Sequence, residues 1–213
     1  MPGPRSADVR LLACAPTAGF RRAVFGGDED LDAGGRAAAR TLADGPDPLG
    51  RVDAWLAAPS TAARETARAA GHEPLAEPDL ADCAYGAWTG RPLHEVAAAE
   101  PHAVHAWLTD PDAAPHGGES LTALIARVGA WLDGPAARPR AVVAVTHAAV
   151  VRAALVHALA LPAAGFWQVD VAPLSVTRLR RRGDRWTLHL PALRAHNSFE
   201  RHVDSAGSRS SSS

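Results

Sequence analysis

Hydrophobic positions along the chain fall into short continuous runs followed by runs with helical spacing, and residues 141–159 show both patterns. Ala141–Thr146 is a run of six residues with three valines, which predicts a buried β-strand. Ala148–Leu159 follows with apolar residues at helical spacing. His147 stands between them, at the kind of strand end where open α/β sheets bind ligands. This segment alone leaves two interpretations open, a functional histidine or a structural one buried at the strand end.

The rest of the chain repeats this succession of strand and helix patterns. The predicted strands are Val9–Cys14, Arg51–Ala58, a short edge strand within His72–Leu80, Phe166–Val171, Ser175–Arg180 and Trp186–Leu190. The other predicted helices are Leu31–Leu42, Thr61–Ala70, Leu93–Leu108 with an interruption at Pro101, and Glu119–Leu132. Asp32 is predicted to cap the first of these helices, and Ser60 or Thr61 the second. A turn at Arg182-Gly183-Asp184 predicts a hairpin between the last two strands.

Alternating strands and helices predict the α/β class, as a three-layer α/β/α sandwich with a mostly parallel central sheet. We expect an N-terminal lead at residues 1–8 and one domain over 9–194. A loop-rich insertion at about 80–118 interrupts that domain. The tail at 195–213 is polar and rich in serine, and is expected to be disordered.

Composition narrows the function classes. The 213 residues suffice for one domain, and 47% hydrophobic with 21% charged residues is typical of a globular protein. A formal charge of −1 gives no basic field for nucleic acid, and no apolar run is long enough to span a membrane. The two cysteines, Cys14 and Cys83, and the scattered histidines lack the spacing of a metal site or a disulfide framework. We therefore expect a cytoplasmic protein without metal or cofactor.

Several short motifs occur along the chain in a fixed order. They are Pro59-Ser60 with Thr66-Ala67, the segment Leu80–Gly90 with Asp82, Tyr85, Gly86 and Trp88 at set positions, Gly118-Glu119-Ser120, and Thr146-His147-Ala148 with Val150-Val151-Arg152. In this order the motifs resemble the histidine phosphatase superfamily, also called phosphoglycerate mutase-like, over roughly residues 9 to 190. The resemblance implies that family's α/β sandwich, with the insertion at about 80–118 covering the pocket.

The resemblance also implies where the family's site residues fall. Aligned on Thr17, the family's Arg-His-Gly triplet falls on residues 13–15, so that Cys14 replaces the nucleophilic histidine and Ala13 the first phosphate-binding arginine. The second phosphate-binding arginine falls on Ala62, and the acid that protonates the leaving group falls on Asp82. Of this set, His147 is retained as it stands in the family.

Other residues near these positions are candidates for substrate binding. Arg21 and Arg22 follow Cys14 in the chain, and are either substitutes for the missing arginines or solvated loop residues. Thr17 lies in the same loop. His116 precedes the Gly118-Glu119-Ser120 motif, on a loop expected to overhang the pocket.

In the family, the first histidine forms a phosphohistidine while the arginines and the second histidine neutralise the phosphoryl oxygens. This chain is therefore expected to have lost that reaction, and to use Cys14, Asp82 and His147 in altered chemistry on a small molecule, as a hydrolase or transferase. Two alternatives stay open: a non-catalytic protein that binds a small ligand or a partner, and a weak phosphomonoesterase that uses Cys14 with Arg21 or Arg22. Cys14 itself is either a nucleophile or an inert buried thiol. The oligomeric state is left open, a homodimer included.

Overall fold

A computed structural model describes residues 6–44, 49–134 and 141–190, and within them a central sheet of six strands in the order β3-β2-β4-β1-β5-β6. The strands are β1 (Ser6–Ala13), β2 (Ala54–Ala57), β3 (Leu75–Ala76), β4 (Ala141–Thr146), β5 (Val176–Arg182) and β6 (Arg185–His189). The helices are α1 (Ala18–Arg21), α2 (Ala33–Asp44), α3 (Thr61–Ala69), α4 (Leu93–Ala99), α5 (Pro101–Thr109), α6 (Leu121–Asp133) and α7 (Ala148–Ala158).

The sheet is parallel from β3 to β1 and antiparallel from there to β6, which confirms the predicted mostly parallel α/β sandwich. Strands β1 and β4 lie at its centre, with Ala13 opposite Thr146 at their carboxyl ends. Leu11 and Val143 on these two strands are fully buried. Helix α6 packs on α7, and α2 packs on α3, so that the helices cover the sheet in pairs. The loops that follow β1 and β4 therefore emerge side by side.

Two local predictions differ from the structure. Phe166–Val171 is not a strand: a 3₁₀ helix spans Ala163–Gln168, where Phe166 is buried in the core. Its apolar pattern resembles that of a strand, but the segment buries its apolar side chains by packing against α6 and α7. A short helix, α1, was also missed in the loop after Cys14, where Thr17 Oγ1 accepts the amide of Phe20. The predicted disordered tail lies outside the described residues.

The insertion forms a second small core together with Phe25 from the loop after α1. Helices α4 and α5 are separated at Glu100, as the proline at position 101 predicts. Trp88 is fully buried in this core and its indole Nε1 donates to Glu100 Oε2 at 3.0 Å. The members of this core are Phe25, Trp88, Val96, Val104 and Trp107. In the described segments, no helix is long and apolar enough to cross a membrane.

Candidate active site

A cavity of about 190 Å³ opens at the carboxyl ends of β1 and β4. Its polar lining residues are Cys14, Thr17, Glu29, Asp82, Tyr85, His147 and Arg152. Its apolar wall is formed by Ala13, Ala15, Phe20, Val24, Ala62, Ala148, Ala149, Val171 and Pro173. The backbone amide of Cys14 donates to Thr146 O at 2.8 Å, which joins the two strand ends directly. The structure therefore brings Cys14, Thr17, Asp82 and His147 together around one cavity.

His147 lies between two partners. Its Nδ1 is 3.6 Å from Asp82 Oδ2, and its Nε2 is 2.8 Å from Ser60 Oγ. The His147 side chain is 18% exposed and that of Asp82 is 24% exposed, so both are partly screened from water. His147 precedes the first residue of α7, and this position directs the imidazole out of the sheet and into the cavity wall.

Asp82 is held by a clamp that sequence reasoning missed. The guanidinium of Arg127 donates to both carboxylate oxygens of Glu119 at 2.9 Å and to the backbone carbonyls of Asp79 and Ala81 at 2.7 and 3.1 Å. Asp82 Oδ1 accepts the amide of Cys83 at 2.9 Å, which leaves Oδ2 facing His147. Glu119 stands in the Gly118-Glu119-Ser120 motif, which gave a sequence signal for one half of the clamp. Arg127 follows eight residues later within α6, and no motif marked it.

The surroundings of Cys14 disfavour its thiolate. Burial raises the pKa of its thiol far above the ordinary value of 9.0, and the nearby Asp82 carboxylate raises that pKa further. Cys83 behaves in the same way: burial raises its pKa to about 12, with Asp82 and Glu119 adding to the shift. A thiol in such surroundings stays protonated at neutral pH and acts as a small apolar group.

The raised pKa predicts that Cys14 reacts slowly with iodoacetamide. In a Cys83→Ala variant at pH 8, we expect alkylation at least about ten-fold slower than that of a free cysteine, because only the thiolate reacts. The rate is expected to rise only above pH 9.0, and urea unfolding should restore ordinary reactivity. Rapid alkylation of the folded protein at pH 7 would show instead that a cation activates the thiol.

The expectation that Arg21 or Arg22 takes the place of the missing arginines is not met. Arg21 Nε lies 2.5 Å from Asp32 Oδ2, and the Arg21 side chain is 58% exposed. Arg22 Nη2 lies 3.9 Å from Glu29 Oε1 and is similarly exposed. Neither lines the cavity: Asp32 holds Arg21 outside it, and Arg22 lies mostly exposed beside Glu29 at its rim.

His116 was expected on a loop that overhangs the pocket, but the structure buries it. It is 3% exposed and lies behind the cavity wall, where its ring contacts those of Tyr85 and Trp88 edge-on. Its Nδ1 accepts the amide of Gly118 at 3.0 Å, and burial lowers its pKa below the ordinary value. His116 therefore supports the loop that carries Asp82 and does not overhang the site.

Three further residues at the site were not predicted. Arg152 lies on the wall with its Nε donating to Val169 O at 2.8 Å and its guanidinium against the rings of Phe166 and Trp167. Glu29 faces the cavity and accepts the amide of Gly19 at 2.6 Å. Ser60, the residue before α3, binds His147. Arg152 had a signal in the motif that begins at Thr146, whereas Glu29 had none.

The charges around the cavity are unlike those of a phosphate site. Ala13 and Ala62, to which the resemblance assigns the places of the phosphate-binding arginines, lie on the wall with 2% and 4% exposure. Two carboxylates, Glu29 and Asp82, face the same space. Within the described segments, no group of three or more His, Cys, Asp or Glu side chains is placed to hold a metal ion.

Solved structures of two phosphatases share the fold of this chain. A mycobacterial glucosyl-3-phosphoglycerate phosphatase, solved with VO3, has a TM-score of 0.76 at 26% identity, and the match covers 86% of this chain and 98% of that one. The alpha-ribazole phosphatase from Shigella flexneri shares the fold at a TM-score of 0.75 and 21% identity, covering 86% of this chain and 95% of that one. No curated protein sequence matches this chain.

A family model settles the relationship. The model described as histidine phosphatase superfamily (branch 1) matches residues 17–193, and so begins just after the segment in which Cys14 stands. The match spans most of the chain, including the strand before His147 and the loop that carries Asp82. The chain belongs to the histidine phosphatase superfamily.

Proposed function

We propose that this protein has lost the phosphohistidine reaction of its superfamily, and that its cavity takes a small molecule that is uncharged or cationic. The solved relatives are named as phosphatases. The observation that carries the proposal is the charge of the cavity wall, where alanines occupy both positions of the phosphate-binding arginines and Glu29 and Asp82 face inward.

Electrostatics disfavours a phosphate dianion in this cavity. Two like unit charges 5 Å apart repel by about 3 kcal/mol at an effective dielectric constant near 20, and phosphoryl transfer relies on cationic groups to offset its charge. Arg152 is the one arginine on the described wall, and its Nε is already donated to Val169 O. The wall around Ala13, Ala15 and Ala62 is apolar and small, which suits an uncharged group.

The pair of Asp82 and His147 supports an enzymatic role over binding alone. An imidazole 3.6 Å from a carboxylate, with both groups partly buried, is a competent general base and acid. A cavity that only bound a ligand would not need this pair oriented by the Arg127 clamp. The phosphocysteine alternative lacks support, because the pKa of Cys14 is raised and Arg21 and Arg22 point into solvent.

The test is the response of the protein to phosphate. With p-nitrophenyl phosphate, we expect no turnover above background, since losing a single charge-stabilising contact already lowers rates by about 10²–10³. Inorganic phosphate is expected to leave the melting temperature unchanged at millimolar concentrations, because alanines stand at positions 13 and 62 and two carboxylates face the cavity. Turnover that disappears in Cys14→Ala and persists in Cys83→Ala would overturn the proposal and restore the phosphocysteine alternative.

A further inference from the structure

The Ser60 hydroxyl lies against His147, on the opposite side of the imidazole ring from Asp82. Ser60 Oγ lies 2.8 Å from His147 Nε2, and Asp82 Oδ2 lies 3.6 Å from Nδ1 on the other side of the ring. The serine follows β2, the aspartate lies in the loop after Leu80, and the histidine follows β4. They occur in the chain order serine, aspartate, histidine, which is also the order of the triad in α/β-hydrolases.

The hydrogen bonds allow Ser60 to donate its proton to His147. Ser60 Oγ accepts the amide of Ala63 at 3.3 Å, as the cap of α3, and its own hydrogen is available for donation to His147 Nε2. When Nε2 is the acceptor, the ring hydrogen is on Nδ1, which faces Asp82. This is the tautomer that a histidine requires in order to take a proton from a nucleophilic serine. The 3.6 Å separation from Asp82 is longer than a hydrogen bond, as such contacts often are without substrate.

We propose that Ser60, His147 and Asp82 form a catalytic triad that hydrolyses small uncharged carboxylic esters. This inference rests on the proposed function, since it requires a cavity that is not committed to phosphate. It also replaces Cys14 as the nucleophile, because the thiol is held protonated and the Ser60 hydroxyl is bonded directly to a base.

The reaction balances in two steps without a cofactor. Ser60 Oγ attacks the carbonyl carbon while its proton moves to His147 Nε2, and the imidazolium then protonates the departing alcohol as the ester C–O bond breaks. Water, deprotonated by the same nitrogen, next attacks the acyl-serine. The carboxylic acid leaves, and the proton returns from His147 to Ser60 Oγ. Asp82 faces Nδ1 of the imidazolium and stabilises its charge.

The first turn of α3 provides the electrostatic environment for the oxyanion. In a helix, the first N–H groups have no acceptor within the helix, and the amide of Ala62 occupies such a position. Ala62 also lines the cavity, so the first turn of α3, which Ser60 caps, lies at the cavity wall. The neighbouring amide of Thr61 is taken by Asp28 Oδ1 at 2.5 Å. A cavity of about 190 Å³ with an alanine wall suits a short acyl chain.

The experiment uses p-nitrophenyl acetate together with a fluorophosphonate probe that bonds covalently to activated serines. We expect ester turnover in the wild type, and peptide mass spectrometry is expected to find the probe on Ser60. Ser60→Ala should lower the rate by about 10³-fold or more. Ser120→Ala is the matched control: Ser120 caps α6 through Ala123 in the same way but has no histidine partner, so this variant should keep both rate and labelling.

The outcomes separate this inference from the proposed function. Equal ester turnover in wild type and Ser60→Ala, or a probe bonded to another residue, would overturn the triad while leaving the loss of phosphate chemistry standing. A wild type that does not hydrolyse the ester and does not take up the probe would also overturn it. Turnover of p-nitrophenyl phosphate that depends on Cys14 would instead overturn the proposed function, whatever the ester assay gives. Thermal unfolding of both serine variants shows whether loss of a cap, rather than of a nucleophile, explains a lower rate.

Discussion

Gly118→Ala is expected to destabilise the protein by about 3 kcal/mol or more, a loss at the upper end for single substitutions. A Cβ at this position would lie 1.9 Å from Ala84 O and 2.7 Å from Ala84 C, both of which are backbone atoms. The same junction carries the hydrogen bond from the amide of Glu119 to Ala84 O at 2.7 Å. A side chain can rotate away from such a clash, but here two backbone segments must separate.

Urea unfolding followed by tryptophan fluorescence measures this loss. Gly165→Ala is the control, because a Cβ there would be at an ordinary 3.6 Å from Leu161 Cβ, and neither glycine requires a positive φ. The control is expected to change the free energy of unfolding by less than about 1 kcal/mol. Equal losses in the two variants would mean that the close packing of the Asp82 loop on the loop of Gly118 does not stabilise the fold.

Arg127→Ala is expected to cost about 2–3 kcal/mol and to loosen Asp82. The variant leaves the Glu119 carboxylate, whose side chain is 15% exposed, without its bidentate partner. It also removes the donor to the carbonyls of Asp79 and Ala81. Breaking a buried charged pair costs 3–5 kcal/mol, and we reduce that figure because Arg127 is 24% exposed.

An exposed arginine–glutamate pair, Arg68 with Glu73, serves as the control for the buried pair of Arg127 and Glu119. Arg68 makes an equally regular bidentate contact with Glu73, but their side chains are 55% and 71% exposed. Arg68→Ala should therefore cost no more than about 1 kcal/mol. If the triad operates, Arg127→Ala should also lower ester turnover, while Arg68→Ala should not. Losses of the same size in both variants would contradict the role assigned to the buried clamp.

Much of the fold was predictable from local pattern. The strand Ala141–Thr146 and the helix after His147 are found at the predicted positions, because three valines in a row of six favour a buried strand and the following alanines favour a helix. Phe166–Val171 was predicted as a strand from the same kind of pattern, but a 3₁₀ helix over Ala163–Gln168 covers part of it. A short apolar run can be buried as a strand or as a short helix, and hydrophobic pattern alone does not distinguish the two.

At the site too, some positions were predictable from the sequence and others were not. Residues that follow the ends of neighbouring strands, such as Cys14 and His147, were placed at one cavity because parallel strands end at one edge of the sheet. The directions of Arg21 and Arg22 were not predictable, because the carboxylates of Asp32 and Glu29 decide them. His116 was expected above the cavity but is drawn inward by the aromatic core of the insertion.

The sequence by itself determined the superfamily and the layered α/β architecture, because these follow from residue types and their order along the chain. Only the tertiary structure decided what replaces the missing chemistry. Ser60 and His147 are 87 positions apart, and their contact depends on the register of β2 against β4 and on how α3 begins. Side-chain direction and burial are properties of packing, and they leave the Cys14 thiol protonated and set the Ser60 hydroxyl against an imidazole.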